Sequence, residues 1–338
     1  MDSVTQFVLG ASVGEAVAGK KAGNWAMLWG GICGTIPDLD VFMRYFFNEV
    51  EMLGIHRGFS HSILFAILIA PILGFIQFKI HKKQEATFKN WTLLSFLSVV
   101  THPLLDSFTT YGTQLFQPFS NYPVAFNSIF IIDLIYTLPF IIALIVILFK
   151  KRNSRQRRII NYSAIIFTTF YLFLGLISKY SADIVFEDSF KETSQIIQDF
   201  SAPSPLNIIL WNTLIVCEND KVYFADYSHL DKTKNINYQS LERNTYLIKH
   251  NLNDYPIQKL LWFSRGLYKF EKKGNDIYFS DLRFNVSNEQ LSKENSSVFK
   301  FKLIFKNNEV IGFERANSGL NIDFKSTFEK LIIRILGK

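Results

Sequence analysis

Cysteine and charged residues are scarce in this sequence of 338 residues, and each scarcity argues against a class of protein. Only two cysteines occur, Cys33 and Cys217. A disulfide framework is therefore excluded, and a metal site built from thiolates is disfavoured because it needs several cysteines. Charged residues make up 19% of the chain and apolar residues 49%, and the mean hydropathy is positive. This balance favours a membrane protein over a soluble enzyme.

The N-terminus and the distribution of charge argue against two further classes. The chain begins MDSVTQF, without a basic region or a small-residue cleavage site, so we expect no removable signal peptide. The net charge of +7 would suit nucleic-acid binding, but the densest basic cluster, residues 150–158, lies between two apolar runs. That position is typical of a cytoplasmic membrane anchor. We therefore expect no nucleic-acid partner.

Long uncharged runs occur before about residue 180 and predict helices that cross a membrane. The clearest run, residues 159–178, is long enough to cross a bilayer core of about 30 Å. Together with less regular apolar segments it predicts five or six spans. The other segments are residues 3–14, 22–37, 62–78, 90–105 and 126–149. Residues 1–180 are thus expected to form a multi-span transmembrane helical bundle.

Positive charge in the short loops predicts the orientation of this bundle. Loops 79–89 and 150–158 are basic, and Lys and Arg are retained on the cytoplasmic side of a membrane. Following the helices outward from these loops brings residues 37–40, 54–61 and 102–106 to the opposite face. Three separate polar motifs are therefore expected to meet at the extracytoplasmic surface.

After Lys179 the pattern changes to short segments in which charged and apolar residues alternate. Residues 201–205 predict a linker, and three polar turns at 218–220, 273–275 and 306–308 predict β-hairpins. The expected fold class is α+β, with the helical bundle followed by a C-terminal antiparallel β-rich soluble domain. This domain, residues 190–338, is placed outside the cytoplasm by the same topology.

Two of the polar motifs contain histidines, at a depth where ionisable groups are costly unless paired, hydrated or bound to metal. His102 and Asp106 are four residues apart, which places both on one helix face. His56 and His61 suit a loop that turns into a helix, with Ser60 as its N-cap. The simpler alternatives are a hydrogen bond at a helix end and histidines that only reach the membrane surface.

Asp38 and Asp40 form the third motif, which would alone be explained by a capped turn. Six side chains then share one predicted face: Asp38, Asp40, His56, His61, His102 and Asp106. Mixed imidazole and carboxylate ligands suit a divalent metal, Zn²⁺ first, with Mn²⁺ or Fe²⁺ as the alternatives. The sequence therefore predicts a site for one or two metal ions at the membrane surface.

Other polar side chains have two explanations each. Asp133 is expected to be a further ligand or to orient a histidine, unless it pairs with a neighbouring helix. Glu15 has the same alternatives and lies nearer the cytoplasmic end. Arg57 is expected to donate hydrogen bonds to an anionic oxygen, unless its side chain only extends toward lipid headgroups.

Taken together, these motifs resemble those of the membrane-bound metal-dependent hydrolase family that includes the LexA-regulated inner-membrane proteins of the YdjM type. The similarity covers about residues 1–180. The matching segments are residues 1–6, 37–40, 56–62, 101–106 and 131–139. Residues 261–266 and 281–284 look similar to the C-terminal extension of a larger subgroup. Many members have His where this chain has Gln6, which implies that this chain has either lost a ligand there or uses the amide as a weak substitute for it.

The resemblance implies a multi-pass protein of the bacterial inner membrane that hydrolyses a phosphoester, including lipid-linked ones, with a metal-activated water. We expect a membrane lipid or a lipid-linked small molecule as substrate. In this hypothesis the histidines and Asp106 bind metal, Asp38 and Asp40 act as ligands or general base, and Arg57 clamps phosphate. The alternative is a non-enzymatic membrane protein with a structural metal site and an outer domain that binds a partner. A transporter is disfavoured because the halves of the bundle show no matching broken helices.

Overall fold

A computed structural model describes residues 1–284, 297–316 and 324–338 of the chain. The protein is α+β, with helices in the N-terminal region and two antiparallel sheets in the C-terminal region, as the sequence predicts. It divides into two compact units. Unit 1 comprises Met1–Met43 with Ile55–Leu176, and unit 2 comprises Arg44–Gly54 with Ile177–Lys338.

Helices account for most of the N-terminal region. They are α1 (Ser3–Ala22), α2 (Asn24–Thr35), α3 (Glu49–Ile55), α4 (Ile63–Ile80), α5 (Phe88–Asp106), α6 (Leu134–Leu148) and α7 (Arg155–Ser189). Short 3₁₀ helices at Pro37–Tyr45 and Phe59–His61 carry two of the three polar motifs. The third motif, at residues 102–106, ends α5.

Glycines bring the backbones of α1 and α2 into direct contact. A Cβ atom on Gly10 would overlap the carbonyl oxygen of Gly30, and one on Gly34 would lie 2.8 Å from the Gln6 carbonyl oxygen. Small residues of this kind allow closer helix packing than any larger side chain permits. The close approach fixes the C-terminal end of α2, which contributes a backbone group to the site described below.

Among the described residues, two helices are long and apolar enough to cross a membrane, α4 and α7. Helix α6 is apolar but shorter, because it begins only at Leu134 and not near residue 126 as the sequence predicts. The reason is that Asp133 caps this helix and accepts hydrogen bonds from the backbone N–H groups of Ile135 and Tyr136. The expected count of five or six spans therefore stays a prediction.

Helix α1 is longer than expected and runs to Ala22 instead of ending near Gly14. Glu15 does not interrupt it, because its carboxylate is buried and forms two hydrogen bonds of 2.7 Å with the guanidinium group of Arg157. A buried charge is tolerated when it is paired in this way. Glu15 thus has a structural partner on α7.

The C-terminal region contains two four-stranded antiparallel sheets, each with its strands in chain order. The first has β1 (Ile196–Pro203), β2 (Leu210–Cys217), β3 (Lys221–Ser228) and β4 (Gln239–Glu242). The second has β5 (Tyr268–Lys273), β6 (Asp276–Asp281), β7 (Lys300–Lys306) and β8 (Glu309–Arg315). All three predicted hairpin turns connect paired strands. Two further helices that the sequence patterns did not predict are α8 (Tyr255–Ser264) and α9 (Phe324–Ile335).

The predicted linker at residues 201–205 is wrong. Ser201 to Pro203 belong to β1, and Phe200 and Ala202 pack in the core of the first sheet. Strand β1 is at the edge of its sheet, where a proline at the strand end removes no hydrogen bond of the ladder. Residues 200–203 are all buried, including Ser201 and Pro203, so their residue types suggest a linker where the structure has the buried end of a strand.

Candidate metal centre

Four side chains from three segments of unit 1 converge on one point. Their ligand atoms all lie within 4.8 Å of one another. The residues are Asp38, His61, His102 and Asp106. Asp38 lies on the 3₁₀ helix after α2, His61 immediately precedes α4, and the other two end α5. Three motifs separated in the sequence thus meet in space.

The two imidazoles face each other through their Nε2 atoms, which are 3.2 Å apart. Asp38 Oδ1 lies 3.5 Å from the Nε2 atom of His61 and 3.4 Å from that of His102. Asp106 Oδ2 completes the group at 3.6 Å from His61 Nε2 and 3.5 Å from His102 Nε2. Two nitrogens and two carboxylate oxygens therefore surround a single small volume.

The hydrogen bond of His102 on its other side fixes its tautomer. Its Nδ1 atom lies 2.6 Å from the carbonyl oxygen of Gly34, at the end of α2. A carbonyl oxygen can only accept, so Nδ1 carries the proton. In the neutral ring, Nε2 then presents a lone pair to the centre of the group.

His61 is fixed in the same tautomer by Ser60 and Asp40. Its Nδ1 atom lies 3.0 Å from Ser60 Oγ and 3.2 Å from Asp40 Oδ2. Because the Ser60 hydroxyl donates its own proton to Asp40 Oδ2 at 3.0 Å, both neighbours accept from His61 Nδ1. Four acceptor atoms therefore face one another in the group, and they repel unless a proton or a cation lies between them.

The geometry of the group fits a small divalent cation. Zinc–nitrogen and zinc–oxygen bonds of about 2.0–2.2 Å place neighbouring tetrahedral ligands about 3.3 Å apart. The five distances given above, from 3.2 to 3.6 Å, are close to this value. Among the described residues, buried Asp106 Oδ2 also lacks a hydrogen-bond partner, as a ligand atom would without its metal. The residues present therefore fit a metal.

Asp40 and His56 lie outside this group of four and support it. The carboxylate of Asp40 accepts hydrogen bonds from the Arg57 backbone N–H and from Ser60, and binds His56 Nδ1 at 2.8 Å. Burial would raise the pKa of Asp40, but hydrogen bonds from His56 and His61 outweigh it and hold that pKa below its usual range. Asp40 is thus a charged carboxylate that orients two imidazoles.

Arg57 lies inside the protein with only 4% of its surface exposed. Its Nε atom is 3.3 Å from Asp106 Oδ2, its Nη1 atom donates to Thr109 at 3.0 Å, and its guanidinium carbon lies 4.7 Å from the centre of the Tyr111 ring. The backbone at Arg57 is left-handed, with φ of 58°. The guanidinium group offsets the charge of Asp106, and phosphate binding by Arg57 stays a prediction.

Gln6 forms a hydrogen bond with a member of the group of four, whereas Asp133 forms one with a neighbouring helix. Gln6 donates to Asp106 Oδ1 at 2.9 Å, on the opposite side of the carboxylate from the two histidines, and the Met1 amino group contacts the same oxygen. Asp133 accepts from the Tyr171 hydroxyl at 2.8 Å. Within the described part of the chain, none of its carboxylate's hydrogen bonds goes to a histidine. Its observed partner is the neighbouring helix, one of the two predicted alternatives.

The group opens to its surroundings on one side. The Asp38 side chain is 27% exposed and that of His56 is 32% exposed, whereas the side chains of His61 and His102 are fully buried. Of the four grouped side chains, only that of Asp38 is partly exposed.

Several residues that contribute to the site were not predicted from the sequence. Ser60 was expected to cap α4, but Ser62 does so by accepting from the Phe65 backbone N–H, which leaves Ser60 to bind Asp40. No pattern in the sequence marks Thr109 or Gly34 as part of the site. Every residue has a carbonyl group, so the contribution of Gly34 depends entirely on helix packing.

The fold and the site together define a protein with two candidate membrane spans and a candidate metal centre in its helical region. The family model described as YdjM inner membrane protein matches residues 1–182, more than half of the chain. The chain therefore belongs to the YdjM inner membrane protein family.

The chain is also similar to the uncharacterized protein YfhP of Bacillus subtilis, with 32% identity over 139 residues. The match covers 38% of this chain and 41% of YfhP, so it spans less than half the length of this curated relative. No solved structure matches the chain.

Proposed function

We propose that this protein is a multi-pass enzyme of the inner membrane that hydrolyses phosphoesters with the help of a divalent cation. The ligands would be Asp38, His61, His102 and Asp106. The observation that supports this proposal is the pair of Nε2 atoms, both acceptors and 3.2 Å apart, facing two carboxylates. Zn²⁺ is the first candidate, and Mn²⁺ or Fe²⁺ also suit this mixture of ligands.

Each surrounding residue has a defined task in the proposed reaction. A divalent cation supplies Lewis acidity, which activates water and stabilises charge on the attacked phosphoryl oxygen. Asp40 and the Gly34 carbonyl hold the histidines with their Nε2 atoms toward the metal. Arg57 offsets the charge of Asp106.

His56 is the residue best placed to transfer a proton. Its side chain is the most exposed of the three imidazoles His56, His61 and His102, and its Nδ1 atom lies 2.8 Å from Asp40 Oδ1. An imidazole oriented by a carboxylate is a common general acid or base. We assign it the protonation of the leaving oxygen.

The preference for a lipid or lipid-linked phosphoester comes from the apolar side chains beside the opening. Leu39, between the two aspartates of the first motif, is 55% exposed, and Phe42 is 56% exposed. Phe59, next to Ser60, is 43% exposed. Exposed apolar side chains around a polar site suit a substrate with a polar head and an apolar tail.

Metal analysis of the purified full-length protein tests the proposal directly. Wild-type protein should contain Zn, Mn or Fe in stoichiometric amount and hydrolyse a member of a panel of phospholipids, lipid pyrophosphates and simple phosphoesters. His102→Ala should lose both metal and hydrolysis, whereas His250→Ala, at an exposed position of unit 2, should keep both. Absence of such a metal from wild-type protein, with no change in thermal stability in His102→Ala, would refute the proposal.

A structural metal site is the second candidate, because four protein ligands are enough to fill a tetrahedral site. In that case the metal would hold the bundle together and the C-terminal domain would bind a partner. Cobalt-substituted protein distinguishes the two functions. Inorganic phosphate should change the visible spectrum of Co²⁺ if a coordination position is exchangeable, and leave it unchanged if the site is closed.

The proposed topology comprises several spans and a C-terminal domain outside the cytoplasm. It rests on the basic loops at residues 79–89 and 150–158. Helices α4 and α7 have the length and hydropathy of spans. We propose that α1, α2, α5 and α6 are also within the bilayer, packed against one another.

A further inference from the structure

Helix α9 is attached to the first sheet of unit 2 through its polar side. Arg334 binds both oxygens of Asp231, at 2.6 and 2.8 Å, and also contacts Asp226. The Ser228 hydroxyl donates to the carbonyl oxygen of Ile335 at 2.6 Å. These contacts fix the C-terminal end of the helix on β3 and the turn that follows it.

The apolar side of α9 is exposed. Phe328 and Ile332 are one helical turn apart and are 51% and 40% exposed, and Leu336, one turn further, is 51% exposed. Residues four apart share one face of a helix, so these side chains form a continuous apolar stripe. A helix that covers a sheet normally does the reverse and buries its apolar side.

The attachment point of α9 lies next to the end of a candidate membrane span. His229, adjacent to Ser228, has its Nε2 atom 2.9 Å from Ser178 Oγ on α7. Ser178 is the last residue of the uncharged run 159–178, and Lys179 follows it. Because Ser228 holds α9 and His229 holds α7, the end of α9 lies where α7 leaves its apolar segment.

The charged residues of α9 and of the residues after it are mostly basic. This segment contains Lys325, Lys330 and Lys338 and one acidic residue, Glu329, whereas Arg334 is paired with Asp226 and Asp231 of unit 2. A cationic amphipathic helix with an exposed apolar stripe is typical of segments that lie in the surface of an anionic bilayer. Basic residues near a bilayer surface are attracted to anionic headgroups.

We infer that α9 is an interfacial helix, with Phe328, Ile332 and Leu336 embedded at the boundary of the headgroups and acyl chains and its lysines on anionic lipid headgroups. The helix would hold unit 2 against the membrane beside α7. This inference concerns a surface of unit 2 and does not depend on the proposed hydrolysis.

Fluorescent probes on opposite sides of α9 test the inference in the full-length protein. Phe328→Cys and Lys330→Cys are labelled with an environment-sensitive nitrobenzoxadiazole group, and unmodified protein gives the background, since Cys33 and Cys217 are buried. The proteins are placed in vesicles of phosphatidylcholine and phosphatidylglycerol. Lipids with a nitroxide on the acyl chain should quench the probe at position 328 at least about twofold more than the probe at 330. Aqueous iodide should show the opposite preference.

Equal quenching of the two probes by the nitroxide lipid would overturn the inference. Vesicles of phosphatidylcholine alone should reduce the lipid quenching at position 328, and unchanged quenching there would refute the role of the lysines. If a second copy of the chain covers the stripe, the probe at 328 will be shielded from iodide without lipid quenching. Its shielding will then rise with the protein-to-lipid ratio, which would also overturn the inference.

Discussion

His102 donates its Nδ1–H to the carbonyl oxygen of Gly34 at 2.6 Å, across 68 residues of sequence. The bond exists because glycines allow the backbones of α1 and α2 to pack in direct contact, and this packing fixes the position of the C-terminal end of α2. It turns the Nε2 atom of His102 toward His61 and the two carboxylates. The packing of an apolar helix pair therefore decides the chemistry of a histidine on a third helix.

His56 and His61 belong to one short motif but should respond differently to substitution. His61→Ala removes a proposed ligand, so metal content should fall to near zero. His56→Ala should keep the metal, because its Nδ1 atom binds Asp40 and its ring lies outside the group of four. Hydrolysis should still be lost in His56→Ala, since proton transfer contributes about 10²- to 10⁴-fold. Loss of metal from both variants, measured by elemental analysis, would contradict the division between ligands and supporting residues.

Asp40→Asn should weaken metal binding without destroying the site. The amide keeps the shape of the side chain but loses the charge that holds the Nδ1–H of His61. Changes of this kind cost about 10- to 100-fold in metal affinity. Competition with a chromogenic chelator measures the affinity, and Asp183→Asn, at a carboxylate of unit 2, serves as the control. Wild-type affinity in Asp40→Asn would show that Asp40 does not orient the ligand.

Gly10→Ala should destabilise the helical region. The added methyl group would overlap the Gly30 carbonyl oxygen, and relieving such overpacking costs about 1–3 kcal/mol. Gly312→Ala is the matched control, since a Cβ atom there meets nothing within 4 Å. Thermal unfolding of both variants in the same detergent measures the difference. Equal melting temperatures would contradict the close contact of α1 and α2.

In intact cells, a membrane-impermeant maleimide should reach cysteines in unit 2 but not cysteines in the basic loop at residues 150–158. Both native cysteines are buried, so added cysteines report their own positions. Thr233→Cys, exposed in unit 2, should be labelled from outside, and Asn153→Cys in the basic loop should react only after the membrane is opened. Labelling of Asn153→Cys in intact cells would reverse the proposed orientation.

The attachment of α9 should weaken in acid. Burial would raise the pKa of Asp231, but hydrogen bonds from Arg334 and the Ser228 backbone N–H outweigh it and lower that pKa. A carboxyl whose pKa is lowered by folding stabilises the fold above its unfolded pKa of about 3.9, and this contribution disappears as pH falls through the folded value. Hydrogen exchange in α9, corrected for intrinsic rates, should therefore lose protection below about pH 4. Unchanged protection at about pH 3 would contradict the assignment.

Much of the site was predictable because its residue types carry strong signals. Histidine and aspartate are rare in apolar segments, and the spacing of His102 and Asp106 fixes a common helix face. The hairpins were predictable for a similar reason, since their polar turns separate alternating strands. Helix α9 was missed, although its pattern of apolar residues four apart is present in the sequence.

The sequence alone determined the α+β class, the apolar character of the first half and the residues that form the candidate metal site. It could do so because hydropathy and side-chain chemistry are local properties. Only the tertiary structure decided that four of the six candidate residues converge, whereas Asp40 and His56 lie outside that group and are hydrogen-bonded to each other. Which nitrogen carries a proton, and which carbonyl accepts it, depends on distances between segments far apart in the chain. Those distances are set by packing, above all by the glycines of α1 and α2.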